Sequence, residues 1–476
     1  MDGAFEMKFK RVLSLMLAVL AIASSVVSCS KEEKKETPVS VPTEENEPEF
    51  TVIDGEGETF DIFIGYKTFD SDFIVEEETG DILKDTIYQR NVATENKFNI
   101  DLQFRAGDDK NNTASDTIRS LIQSGDDTYE LFINVQHVGI PLIYEGLFVD
   151  WNEDMPYVNL DNPWWYSRAI KDLNFSDKIF VAVGAYNFHC LRSAGCLVFN
   201  KNILDELELD YPYQLVRDGE WTVDKMIEYS KKAVKDLDGD GFIKEDNDRL
   251  GYSGWRPEMF PALFVGMGGK PVTKNDENLP KLNVNNERTY MIMDKMIELF
   301  DDGNGAWCNK REYGFEDTMF FESRLLFNDS TLSTLTGLRN MEDDFGVVPY
   351  PKLDTDQENY YSRVVNFASL SYVPVTNDKL ELTSAVLEYM AYVSNRDIVP
   401  AFYDVILTVK SVRDVESEEM VDIIRESASF MDENYLKSND IANIVESGQN
   451  TLSSNYAAYG DSWEIKLAEL TEFWEG

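Results

Sequence analysis

The sequence predicts an α/β protein built as two lobes, and three observations carry the prediction. Strand-like and helix-like segments alternate from Phe60 onward, the pattern of a parallel sheet with helices packed on its faces. The alternation begins afresh near Lys178. The chain beyond its leader is also longer than one core supports, since single cores stop growing at roughly 250–300 residues.

The leader comes first. Lys8, Lys10 and Arg11 precede an apolar run from Val12 to Val27, then Ser28 and Cys29. A basic start, a short apolar stretch and a small residue before the cut describe a secretory signal over 1–28, and the run falls short of the ~20 residues a spanning helix needs. Cysteine directly after the cut resembles the lipobox of bacterial lipoproteins, which implies that Cys29 is lipidated and tethers the protein to the outer face of the cytoplasmic membrane. Residues 29–57, dense in Glu, Lys, Pro and Thr, read as a disordered acidic tether.

The first lobe opens with FDIFIGY (60–66), apolar at alternate positions, followed by a helical pattern over 81–98 and the strand-like NIDLQFR (99–105). A helix over 115–125, with Gly125 as its C-cap, and the strand ELFINV (130–135) complete the first run. Sheets of this kind bind ligands beyond the carboxyl ends of their strands. That points to Tyr66 and Lys67 after the first strand, and to Asn134, Gln136 and His137 after the third.

The second run is read from KIFVAVGAY (178–186) and CLVFNKNIL (196–204) as strands, then a helix over 220–234 capped by Thr222. Trp221, just before that cap, is expected to staple the helix. Further on come an amphipathic helix over 287–302, a strand-like RLLF (324–327) and a strand in DDFGVVPYPKL (343–353). The remainder is helical in pattern, ending in SWEIKLAELTEFWE.

Composition excludes some partners. With 44 Lys and Arg against 88 Asp and Glu, the formal net charge is −44. Such a chain lacks the basic face that nucleic acid requires, and the acid suits a soluble surface protein, expected here to be a monomer. Cys190 and Cys196 are spaced for a bridge or for buried thiols, not for a zinc knuckle.

DLDGDGFIKEDNDRLGY (236–252) begins as a calcium loop of the EF-hand kind does. Asp236, Asp238 and Asp240 stand at positions 1, 3 and 5, and the Phe242 carbonyl at 7. Position 9 is Lys244 and position 12 is Asn247, so Asp248 is expected to bulge in as the last ligand. A single loop with a displaced twelfth ligand suits a structural calcium ion, not a sensor.

In this order, the segments DTIYQRNVATENKFNIDL, SGDDTYEL, DNPWWY, VFNKNIL, DGEWTVDKM, FGVVPYPK and PAFYDVILTVKSVRD resemble the extracellular solute-binding proteins of ABC importers. The likeness is to the sugar-binding, maltose-binding-protein-like branch. It implies a two-lobe periplasmic-binding-protein-like fold with hinge crossovers and C-terminal helices. Lobe 1 is then 58–180 with 363–400, and lobe 2 is 181–362 with 401–476. It also implies a carbohydrate ligand, an oligosaccharide by preference, handed to an ABC permease.

Sugars offer apolar faces to aromatic rings and hydroxyls to planar polar groups. Trp164 and Trp165, adjacent in a proline-flanked loop, are therefore candidates, as are Trp255 with Arg256 in a glycine-rich turn. By position in the resemblance, Phe199 matches a contacting aromatic, Ser193 stands where an acid does, and Tyr403 with Phe402 begins a helix that reaches the cleft. Asp329, between Asn328 and Ser330, belongs to a loop after a strand. A secreted glycoside hydrolase using two carboxylates, or a binder of another polar solute such as a peptide, is the competing reading. No G-x-S-x-G or H-E-x-x-H occurs.

Overall fold

Two sheets organise the chain in the computed structural model, which describes residues 47–107, 111–407, 415–431 and 436–476. The signal segment and Cys29 lie outside the described residues. The first sheet runs in the order Ser369–Tyr372, Leu131–Val135, Thr59–Ile64, Asp101–Ala106, all parallel except the returning strand 369–372. Both of its faces are covered, which is why Thr59–Ile64 is buried almost throughout and not at alternate positions only. Phe60, Ile62 and Ile64 pack toward the helices Ile82–Phe98 and Leu380–Val393. Phe63, Phe132 and Leu370 pack toward Asn111–Gln123 and Gln136–Ile143. Asp81 starts the helix Ile82–Phe98 by accepting the Lys84 N–H at 3.0 Å.

The second sheet has the order Phe345–Val348, Gly195–Asn200, Leu325–Thr331, Leu250–Trp255, Ala306–Asn309. Its last three strands are parallel, whereas Gly195–Asn200 is antiparallel to both neighbours. Its core gathers Phe199, Phe327 and Trp221 with the helices Val223–Ala233, Arg256–Gly266 and Glu287–Leu299. Trp221 is fully buried and donates from Nε1 to the Pro349 carbonyl at 2.9 Å, in keeping with a packing role. Thr222 stands at the N-cap but its side chain makes no cap hydrogen bond, contrary to expectation.

Segment 178–186 is not a strand. It meets the first sheet at an isolated Ala182–Ser371 bridge and turns where Asn187 donates to the Gly184 carbonyl. It is the first of three crossings between the sheets. The second is the return through Ser362–Arg363, which pairs in parallel with the third at Ala428–Ser429. Ala194 bridges Val364, so the crossings lie side by side as hinge segments.

The terminal helices serve both lobes, where the sequence reading gave 401–476 to the second alone. Val415–Glu426 lies on the strand Phe345–Val348, and Ser438–Glu446 lies on Arg256–Gly266. Val399–Leu407 packs on the helix Ile82–Phe98 of the first lobe. The helix Leu452–Glu475 starts in the second core at Leu452 and ends with Trp474 against Tyr144, Phe175 and Phe180. The tether reading also fails for its described end. Phe50 packs against Trp164, Tyr389 and Tyr392, and Gly55 and Gly57 donate to the carbonyls of Phe98 and Asn99 at 2.7 Å. Cys190 and Cys196 are buried free thiols. Among the described residues no helix is long and apolar enough to cross a membrane.

Candidate ligand-binding cleft

Where the strands of both sheets end, the lobes face each other across a cavity of about 590 Å³. Thr59–Ile64 delivers Tyr66 and Phe69 to one wall, their rings stacked 5.5 Å apart. Leu250–Trp255 delivers Trp255 to the opposite wall, edge to face with Tyr313 at 5.2 Å. The crossing segment adds Arg363 and Phe367, the latter 41% exposed. These rings offer apolar faces on both sides of the gap.

Polar groups line the second-lobe floor. Asp329, on the strand Leu325–Thr331, accepts a hydrogen bond from the Tyr350 hydroxyl. Glu316 and Asp317, on the helix Phe315–Phe321, accept from the side-chain amides of Asn309 and Asn328, the latter at 2.7 Å. Burial pushes the Asp329 carboxyl up to about 8, against the lowering effect of the Tyr350 hydroxyl, with Glu316 and Glu258 pushing the same way as burial. Burial likewise raises Glu316 and Asp317 above the usual carboxylate range.

The cations of the cleft are already engaged. Arg363 is paired with Glu258, and Arg192 with Asp72 at 2.7 Å. Burial raises the Asp72 carboxyl to about 6 even with Arg192 beside it. His189 packs on the Phe69 ring, with centroids 3.9 Å apart, and its Nδ1 lies 3.1 Å from the Ser369 hydroxyl. Burial, then Arg192, holds it well below its ordinary value, so it faces the cavity as a neutral imidazole.

Of the residues singled out in the sequence, Tyr66, Trp255, Asp329, Ser330 and Ser193 meet in this cavity. The others sit elsewhere. Trp164 and Trp165 are buried in the first lobe and donate from their indole nitrogens to Glu388 at 3.0 and 2.8 Å. Phe199 is on a strand covered on both faces and packs with Tyr213 and Phe327. Arg256 opens a helix that turns it away, onto Glu446, Asn439 and Asn443. Gln136 reaches the Met431 carbonyl at 2.8 Å, tying the first sheet to a crossing. Asn134 is fully buried, lies against Gly65, and accepts the Val135 N–H. Tyr403 lies beside Phe402 under the Arg425 guanidinium and does not line the cavity.

Glu316, Asp317, Tyr313, Arg363 and His189 were missed. The strand-end rule would have found the first three had it been carried past the short strand Ala306–Asn309 into REYGFED.

The acidic loop contributes nothing to this cavity. Carboxylate oxygens of Asp236, Asp238 and Asp240 lie within 4.8 Å of one another, as a cation site requires. Backbone N–H groups of Gly239, Gly241, Asp240 and Phe242 hold them in a tight turn, with Gly239 and Gly241 at φ +78° and +85°. The Phe242 ring is exposed beneath Lys244, whose ammonium pairs with Asp240. Asp248 does not join the group. Its two oxygens accept the N–H groups of Leu237 and Lys244, both at 2.8 Å, so it closes the loop instead.

No family model and no curated protein matches the sequence. Solved structures do match by shape. The ABC substrate-binding protein Lmo0181 from Listeria monocytogenes, in complex with cycloalternan, aligns over 86% of this chain and 99% of its own, with a TM-score of 0.55 and 10% identity. The GacH receptor of Streptomyces glaucescens, solved unliganded and with acarbose, gives 0.55 at 13% identity over 86% and 98%. The maltotriose-binding protein of Thermus thermophilus, bound to maltotriose, gives 0.51 at 12% identity over 87% and 99%. The chain therefore has the two-lobe α/β fold of the sugar-binding proteins of ABC importers.

Proposed function

We propose that this chain is the substrate-binding subunit of an ABC importer, capturing an oligosaccharide between its lobes and delivering it to a permease. The observation that carries the reading is the cavity at the strand ends, with ring faces from both lobes and a floor of hydroxyl- and amide-supported carboxylates. That is the complement of a sugar, whose C–H faces stack and whose hydroxyls pair with planar acceptors. Fold neighbours that hold oligosaccharides support the ligand class. They are binding proteins, which favours capture over hydrolysis. Closure on the ligand follows from preferential affinity for the closed arrangement, a population shift across the three crossings.

The remaining parts of the reading rest on the sequence: a signal segment, lipidation at Cys29, and a monomer held at the outer face of the membrane. The loop 236–248 is read as a structural calcium clip, supported by the converging oxygens of Asp236, Asp238 and Asp240. The test of the main reading is thermal denaturation with saccharide and peptide libraries, followed by product analysis. A ligand selective for the native state must raise the Tm. A saccharide that does so and is recovered intact supports the importer subunit, while shortened products mean a hydrolase. A response to peptides alone moves the ligand class.

A further inference from the structure

The cleft is short of positive charge, and the shortage is localised. Arg363 and Arg192 are each paired with a carboxylate, Glu258 and Asp72. That leaves Glu316, Asp317 and Asp329 on one side of the cavity, and among the described residues none of them makes an ion pair. Their hydrogen-bond partners are neutral: Asn309, Asn328 and the Tyr350 hydroxyl. Arg363, committed to Glu258, acts on Asp329 only as a weaker influence than burial. A carboxylate withdrawn from water without a cation is costly, and a protein meets that cost by protonation or by a partner that brings the charge. The raised proton affinity of all three groups is the first of these.

The geometry also says what kind of cation fits. Among the described residues, three acidic groups converge only at Asp236, Asp238 and Asp240, so the floor is not arranged as a bare metal cage. An ammonium group, which needs separate acceptors around it and an aromatic face beside it, suits the arrangement better. Trp255 and Tyr313 supply that face on the same lobe.

Resting on the proposed carbohydrate function, we infer that the cleft takes an amino sugar, with a protonated amine seated against Glu316, Asp317 and Asp329 beside the paired Trp255 and Tyr313 rings. Neutral sugars bind the same cleft more weakly, and uronic acids are repelled.

The probes are β-1,4 tetramers that differ in the substituent at C2: glucosamine, N-acetylglucosamine and glucose, with tetragalacturonate as the anion. Calorimetry on the full chain at pH 5.5, where the free amine is already protonated, in two buffers of different ionisation enthalpy, reads affinity and proton exchange together. The expected result is glucosamine tetramer binding about tenfold or more tighter than cellotetraose, with protons released as the amine displaces them from the floor. Glu316→Gln with Asp329→Asn must erase both the preference and the proton release. That control matters because the whole surface is acidic. A preference that survives in the double variant belongs to the surface and overturns the inference. So does glucosamine binding no tighter than the neutral tetramers, in which case any neutral binding leaves the transport reading standing. If no oligosaccharide of any charge binds, both readings fall.

Discussion

Each lobe holds a carboxylate that no described cation pairs, and the two are satisfied in opposite ways. Glu388 of the first lobe is 6% exposed and accepts four N–H groups: the Asn159 backbone, the Asn162 amide, and the indoles of Trp164 and Trp165. Asp329 of the second accepts one hydrogen bond, from Tyr350, and looks into a cavity. A buried acid with its lone pairs filled fixes structure, because every donor around it depends on it. An acid with lone pairs to spare at a cavity is poised for a ligand. The same side-chain chemistry thus marks a lock in one lobe and a binding floor in the other.

The comparison breaks most readily at Glu388. Replacing it with Ala strands two buried indole N–H groups and leaves a void, which should cost about 3–5 kcal/mol in urea denaturation. Ligand affinity of the protein that remains folded should be unaltered. A loss below about 1 kcal/mol would mean that water satisfies those donors and that the lock is not one.

The matching change in the second lobe is Trp255→Ala. Here affinity should fall by about tenfold or more, since a stacked aromatic supplies about 1.5–3 kcal/mol of burial, while stability changes little. Trp165→Ala should do the reverse, destabilising by about 3–5 kcal/mol with affinity retained in the folded fraction. Equal behaviour of the two tryptophans would erase the distinction between the lobes.

What the sequence made legible follows the same division. Segments whose pattern is local were read correctly: Ile82–Phe98 behind its Asp81 cap, and Leu131–Val135. Tyr66 was legible because a strand end is a local feature with a spatial consequence, and Trp255 as an aromatic in a glycine-rich turn. Asp329, expected in a loop, reaches the cavity from within the strand Leu325–Thr331 instead. Trp164 and Trp165 were misread because their acceptor, Glu388, lies more than two hundred residues away. Nothing near them says that a carboxylate will arrive. Arg256 was misread through adjacency to Trp255, since one step along a helix start turns a side chain toward a different neighbour, here Glu446. The crossing at 178–186 has strand-like composition, but its bridges are isolated ones, Ala182 with Ser371 on the edge of the first sheet and Gly184 with Trp165.

A finer test of the Asp329 floor uses pH. Its carboxyl is raised from 3.8 to about 8 by burial, so between those values the native state binds more protons than the unfolded one. Stability from this group is therefore fully present below its unfolded value and declines as pH rises toward 8. Asp72, near 6, and Glu130, near 7, act in the same direction, as do Glu316 and Asp317, so the wild-type slope is shared. Asp329→Asn keeps an acceptor for Tyr350 and removes one contribution. The Tm of the variant relative to wild type should climb between pH 5 and about 8; a flat difference would mean that Asp329 is ionised throughout.

The smallest effect is expected at the acidic loop, where the contrast with the cleft is sharpest. Its carboxylates are exposed or half-exposed and held by backbone N–H groups, and the Lys244 ammonium together with the Phe242 N–H lowers Asp240. Nothing there waits for charge as the cleft floor does. A calcium ion must displace Lys244 from Asp240 and do without Asp248, whose oxygens are engaged by Leu237 and Lys244. Both features weaken the site toward the ~10⁻⁴–10⁻³ M range of extracellular modules. At millimolar calcium, mass action then gives only about 1 kcal/mol. The measurement is the Tm with calcium and with chelator, for the wild type and for Asp238→Ala with Asp240→Ala. Chelator should lower the first slightly and leave the second alone, with sugar affinity at saturating calcium the same in both. No shift in the wild type would leave a metal-free turn held by Gly239 and Gly241, and a calcium requirement for sugar binding itself would make the loop part of the site and not a clip.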